Sequence, residues 1–179
     1  MRLKGLVSVW ATVCAQIDLK NATITIQDGS TSPNSIEVKI GEGNLTFSER
    51  RNMEYTLDRG VLDEVREGDE VPMDVRMDFV WEYLLGSSAT GAAPTIEDAL
   101  KKRGNASAWV STDSDICRPY AVDIIITYVP DCQPGDTEVI TLADFRWEQL
   151  DHDARAGTVA CSGRCNVKEA SSVRYPTTP

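Results

Sequence analysis

Apolar and polar residues alternate with a period of two along most of the chain, which predicts strands. The clearest run covers residues 71–79. Val71, Met73, Val75, Met77 and Phe79 share one face, and Asp74, Arg76 and Asp78 share the other. Apolar residues two apart scatter around a helix, so this run reads as a half-buried antiparallel strand. Pro72 sits near its start, where a missing donor is tolerated. Ala22, Ile24 and Ile26 mark a strand, and Ile36, Val38 and Ile40 mark another. A tight connection over residues 41–44 then leads to Leu45 and Phe47, which reads as a hairpin. Met53, Tyr55 and Leu57 form a short strand closed by Asp58-Arg59-Gly60, and residues 60–70 read as a solvated turn. Residues 120–129 are β-branched on both faces, as in a central strand. Residues 137–148 and 157–167 complete about eight strands, and Trp109-Val110 is a further short candidate. One short helix is expected, with Thr95 as N-cap, Glu97 and Asp98 in its first turn and Gly104 as C-cap. The expected fold is mainly β, a sandwich or small barrel with one short flanking α-helix.

The chain has 179 residues, which suffices for one core and is short for two. Residues 1–170 read as a single β domain with an N-terminal strand or arm. Residues 171–179, rich in Pro and Thr, read as a C-terminal tail without a core pattern. Residues 1–15 have a basic start and an apolar stretch, the outline of a secretory signal with a poor cleavage site. The alternation of Val7, Val9, Ala11 and Val13 against Ser8, Trp10, Thr12 and Cys14 favours a strand. No apolar run approaches the ~20 residues of a membrane-spanning helix. Five cysteines, an odd number, favour a reducing origin with small buried thiols. A zinc site of Cys117, Cys132, Cys161 and Cys165, or a Cys117–Cys132 bridge, is the alternative.

Catalytic motifs are absent: the sequence has no phosphate-binding glycine loop, zincin helix, nucleophile elbow or EF-hand loop. The single histidine, His152, lies between Asp151 and Asp153, and Cys161 follows nine residues on. An acid-flanked surface histidine is the simpler reading than a Cys-His pair. No cofactor is expected. Acids outnumber bases 28 to 18, giving a net charge of -10. That argues against gripping nucleic acid through phosphate neutralisation. Between residues 54 and 82, ten acids face only Arg59, Arg66 and Arg76, a local balance of -7. Such a surface repels phosphate, or pairs with a basic patch on a neighbour.

Two stretches resemble tail tube proteins of long-tailed, siphovirus-like bacteriophages. The first is Gly60-Val61-Leu62-Asp63-Glu64-Val65-Arg66-Glu67-Gly68-Asp69-Glu70-Val71-Pro72-Met73-Asp74-Val75, running on to Phe79-Val80-Trp81-Glu82-Tyr83. The second, more specific, is Phe145-Arg146-Trp147-Glu148-Gln149-Leu150-Asp151-His152-Asp153, followed by Ala156-Gly157-Thr158-Val159 and Ser162-Gly163-Arg164-Cys165-Asn166. The similarity spans residues 21–167. It implies a tail-tube-like β-sandwich or barrel whose copies form hexameric rings that stack into a tube. It further implies a negatively lined bore through which genomic DNA passes without specific binding. The implied partners are other copies, a tape-measure protein, a tail terminator and tail tip proteins. The implied location is the tail of a virion assembled in the host cytoplasm, with no catalytic site, no metal and no membrane insertion. The resemblance points to a non-contractile tail.

On that basis Asp63, Glu64, Glu67, Asp69, Glu70, Asp74 and Asp78 are candidate lumen or ring-contact acids. Asp74 and Asp78 are expected to face the lumen, with Arg76 paired to one of them. Trp10 is a candidate inter-ring anchor, as are residues 1–15 and 86–93 more broadly. A carboxylate lining has a physical purpose, since DNA meeting Lys or Arg would release counterions and stall. The alternatives are a tail terminator or other β-sandwich virion protein, and a carbohydrate-binding module or small hydrolase. The carbohydrate reading requires Trp10, Trp81, Trp109 and Trp147 to share an exposed platform.

Overall fold

The computed structural model describes residues 19–41, 43–82, 93–129 and 136–175. Residues 1–18, with Trp10, and most of the 86–93 segment lie outside the described residues, as do Cys14 and Cys132.

The chain is mainly β. One antiparallel sheet has the order β2 (Ser35–Glu37), β1 (Ala22–Gln27), β7 (Val122–Tyr128), β8 (Thr137–Asp153), β9 (Thr158–Cys165), β6 (Met73–Val80), β3 (Leu45–Ser48). A separate two-stranded ribbon joins β4 (Met53–Asp58) to β5 (Val61–Glu67). The 41–44 connection does not close a hairpin. β2 pairs with β1, and β3 pairs with β6, so the two strands flanking that connection go to different neighbours. Chain leaving β2 instead joins the two sides of the sheet. The Val38 N–H donates to the Ile24 carbonyl at 2.8 Å, and the Val80 N–H donates to the Lys39 carbonyl at 2.8 Å. The sheet is thereby drawn into a barrel-like wrap.

Burial follows the period-two pattern. Met73, Val75, Met77 and Phe79 are all buried, and so are Val159, Cys161 and Cys165 facing them across the β6–β9 register. Ile124 and Ile126 of β7 continue this core beside Ile24 and Ile26 of β1.

β8 is the longest strand and serves two neighbours along one edge. Its second half pairs with β9 through Phe145↔Cys165 and onward. Its first half pairs with β10 (Ser171–Tyr175), from Ser171↔Thr141 to Tyr175↔Thr137. The stretch expected to be an unpatterned tail is therefore a strand as far as Tyr175. All five of its side chains are exposed, so it carries no burial pattern, and backbone hydrogen bonding alone places it.

Helix α1 (Ile96–Lys101) forms where the cap chemistry points. The Thr95 hydroxyl accepts from the Asp98 N–H at 3.1 Å. Ile96, Ala99 and Leu100 are buried against the sheet, at the spacing that one helix face provides. The C-cap is Lys102, which takes the left-handed conformation with φ 51°, and not Gly104. Gly104 opens a short 3-10 turn instead. Trp109 is a buried core residue outside any strand.

Candidate functional site

Two surfaces carry the residues singled out from the sequence. The first is the outer face of the β3–β6–β9–β8 sheet. The register places Thr46, Ser48, Asp74, Arg76, Asp78, Ser162, Arg164 and Gln149 on it, opposite the core-facing set. The twist of this sheet leaves a shallow cleft of about 370 Å³ lined by Asn44, Thr46, Arg76, Asp78, Gln149 and Asp151. A second, of about 550 Å³, is lined by Arg50, Asp74, Arg76, Glu148 and Arg164 among others.

Asp74 is engaged. Arg164 Nε donates to its Oδ1 at 3.0 Å, and Arg50 lies 3.4 Å from its Oδ2. Arg76 makes no ion pair with Asp74 or Asp78, contrary to the expectation that it would be neutralised there. Adjacent outward positions on a twisted strand diverge, and Arg164 reaches Asp74 from the facing strand instead. Glu148 and Asp151 were not among the sequence candidates. Glu148 follows the outward Arg146 by two residues, and it is the extra residue of an irregularity in β8 between Trp147 and Gln149, beyond which Gln149 and Asp151 take the outward side. A single extra residue reverses which side chains point outward, and no local pattern announces it.

The second surface is the β4–β5 ribbon, where the structure replaces the expected 60–70 turn with a strand. Asp63, Glu64 and Glu67 lie on β5, whereas Asp69 and Glu70 lie in the connection to β6. The acidic segment is thus divided between a ribbon and a sheet face. The ribbon register pairs Tyr55 with Val65 and Leu57 with Leu62, and puts Met53 on the same face. Glu67 stands opposite Met53 on that face too, and the other face carries Glu54, Thr56, Asp58, Val61, Glu64 and Arg66. The five apolar side chains Met53, Tyr55, Leu57, Leu62 and Val65 are 42–63% exposed. Asp58, Asp63 and Glu64 form no ion pair among the described residues, while Glu67 lies 3.7 Å from Lys168 and Glu54 accepts from Arg66 at 2.8 Å.

The residues considered for chemistry are placed apart from one another or engaged elsewhere. Cys161 and Cys165 are buried on one straight strand, four residues apart. That spacing spans ~13 Å, and Ser162-Gly163 makes no turn, so the two do not share a metal. Burial pushes both thiols up to about 12, the opposite of nucleophile activation. His152 packs edge-on against Trp81, with ring centroids 5.0 Å apart, and its Nε2 lies 3.5 Å from Glu97 Oε1. Glu97 is already held by Lys101 at 2.6 Å and Arg103 at 2.8 Å. The described tryptophans form no shared platform: Trp109 is buried, Trp81 meets His152, and Trp147 lies under the Lys101 ammonium at 5.8 Å.

No protein-family model matches the chain, and no curated protein matches it. Among solved structures, a chain in the PVC sheath/tube terminator of an extracellular contractile injection system, in the extended state, matches with a TM-score of 0.51 and 9% identity. The match covers 90% of this chain and 99% of that one. The chain shares its fold with that chain of the injection system. A chain of the anti-feeding prophage baseplate aligns with a TM-score of 0.40 and 10% identity, over 86% of this chain and 92% of that one. At 9% identity the first likeness concerns fold alone.

Proposed function

We propose that this chain is a structural subunit of a tail-like injection assembly, working as a ring of identical copies around a bore. The observation that carries the reading is the β4–β5 ribbon, which holds five exposed apolar side chains on one face. An isolated two-stranded ribbon is marginal in water, so one with an exposed apolar face calls for a neighbour to cover it. The fold shared with a sheath/tube terminator and the two sequence stretches similar to phage tail tube proteins support the same class of role.

In the first reading the rings are hexameric and stack into a tube that conducts DNA. The outer face of β3–β6–β9–β8 then supplies the lumen, with Asp78 and Asp151 sharing one cleft with Arg76 beside the engaged Asp74. Asp63, Glu64, Glu67, Asp69 and Glu70 belong to ring contacts, and Trp10 to contacts between rings. Tape-measure, terminator and tip proteins would set the length and ends of the tube. The function is mechanical and electrostatic: a rigid bore, weak attraction for phosphate, and one interface repeated many times. In the second reading the chain forms one ring that closes a tube, which the likeness to a sheath/tube terminator favours.

Negative-stain electron microscopy over a concentration series, with mass photometry on the same samples, tests the proposal. Hollow tubes with a regular axial repeat are expected from the first reading, and isolated closed rings from the second. Monomers alone, at high concentration and beside tail-tip components, would overturn both.

A further inference from the structure

We propose that residues 111–119 form a strap latched across β7 and β8 by one proton held between Asp123, Thr112 and Asp144, and that loss of this proton releases the strap. Such a latch operates in the single chain, whether or not copies assemble.

The strap has no apolar anchor. Ser111, Thr112 and Asp113 are half-buried, residues 114–119 are exposed, and Ile116 is 96% exposed. Polar contacts therefore hold it, and they fall at two points. At the first, Arg146 of β8 donates from Nη2 to Asp113 Oδ2 at 2.6 Å and from Nε to the Pro119 carbonyl at 2.9 Å. The Asp115 N–H and Arg146 hold the Asp113 carboxyl below the usual carboxylate range, so this anchor stays charged as pH rises.

At the second point Thr112 sits between two carboxyls. Its N–H donates to the Ala121 carbonyl at 3.1 Å. Its hydroxyl donates to Asp144 Oδ1 at 2.9 Å and also bonds the Asp123 side chain. Asp123 Oδ1 in turn accepts from the Asp144 N–H at 2.9 Å.

A hydroxyl has one hydrogen. Thr112 commits it to Asp144, so with both carboxyls ionised nothing lies between the Thr112 oxygen and Asp123. One proton on Asp123 satisfies every contact. Its carbonyl oxygen accepts from the Asp144 N–H, its O–H donates to Thr112 Oγ1, and Thr112 donates to Asp144. Burial raises the Asp123 carboxyl, and the Asp144 carboxylate adds to this, against the pull of the Asp144 N–H and Thr112. The surroundings supply no opposing charge. β1 presents Gln27 across the register, and β9 presents the Cys165 thiol, which burial pushes up to about 12. Arg146, the cation of this region, is committed to Asp113 and to the Asp144 carbonyl, to which Nη1 donates at 3.4 Å.

The sign follows. A carboxyl raised by folding stabilises below its folded-state value and loses that contribution as pH rises through it. Ionisation of Asp123 sets two carboxylates around one hydroxyl. The strap then keeps its Arg146 anchor and loses the Thr112 one, and Ile116 moves with it.

The test uses the full chain labelled with ¹³C and ¹⁵N, followed by carboxyl resonances and backbone relaxation from about pH 4 to about pH 9. Asp123 is expected to titrate above the ordinary aspartate value of about 3.9. Order parameters for residues 113–118 are expected to fall below about 0.6 with the same midpoint. Asp123→Asn keeps an acceptor for the Asp144 N–H and supplies a donor to Thr112, so it is expected to hold the strap at every pH. Thr112→Val removes the shared hydroxyl and is expected to leave the strap mobile at every pH. Ordinary titration of Asp123 would overturn the inference, as would strap mobility that ignores its midpoint. An Asp123→Asn strap that still loosens with pH would overturn it as well. Where a variant fails to fold, the wild-type titration decides.

Discussion

Asp28 shows how one residue ties distant segments together. Its carboxylate is only 3% exposed. It accepts from the Asn34 N–H at 2.7 Å, Asn34 Nδ2 at 2.9 Å, Ser30 Oγ at 2.9 Å and the Val110 N–H at 3.2 Å. Burial pushes this carboxyl up, but the donations from Asn34, Val110 and Ser30 outweigh it and hold the group below the usual carboxylate range. Its folded-state pKa is depressed, so its stabilising contribution is present above the unfolded value near pH 4 and is lost as pH falls through the folded one. Asp28→Asn is expected to cost about 2–4 kcal/mol, because an amide turns a donor toward groups that donate. Chemical denaturation at pH 7 and pH 3 checks this: the gap between wild type and variant should shrink at the lower pH. Asp123 works in the opposite sense. Burial raises its carboxyl, so stability falls as pH rises from about 4 through its folded pKa.

Among elements, β8 organises the sheet through two irregularities. At the first, Asp144 takes φ 54°, its N–H donates to Asp123 Oδ1 at 2.9 Å, and the register against β7 shifts. At the second, Glu148 is the extra residue opposite β9. Phe145 lies between them, 1% exposed, paired with Val122 on one side and Cys165 on the other. Phe145→Ala should cost about 3–5 kcal/mol, read as a lower denaturation midpoint with little change in slope. Gly163 faces the second irregularity. A Cβ there would collide with the Arg146 carbonyl and lie 2.8 Å from the Phe145 ring. Gly163→Ala is expected to destabilise by about 1–3 kcal/mol. An equal unfolding temperature would show that β8 has room to shift.

At the scale of the whole molecule, stability is distributed unevenly. β6, β7 and β9 are each paired on both sides and carry the core, whereas every residue of the β4–β5 ribbon and of β10 is exposed. Amide hydrogen exchange should therefore be slowest in β6, β7 and β9 and fast in the ribbon of the free chain. On assembly the ribbon amides should become protected, and an unchanged exchange rate there would remove it from the interface.

Which segments extend and which faces turn inward is legible in the order of residues. Met73, Val75, Met77 and Phe79 read as core, Ile124 and Ile126 as part of a central strand, and Thr95 as a helix cap, and the structure places them so. These features depend on residues two to four apart, whose geometry is local. The rest depends on how distant segments pair. That pairing sends β2 and β3 to different neighbours, places β10 beside β8, and splits the acidic segment between a ribbon and a sheet face. It also brought Glu148 and Asp151 onto the same face as Asp78. Strand pairing and bulges are set by backbone hydrogen bonds between residues far apart in the chain, and those bonds leave no side-chain signature to read.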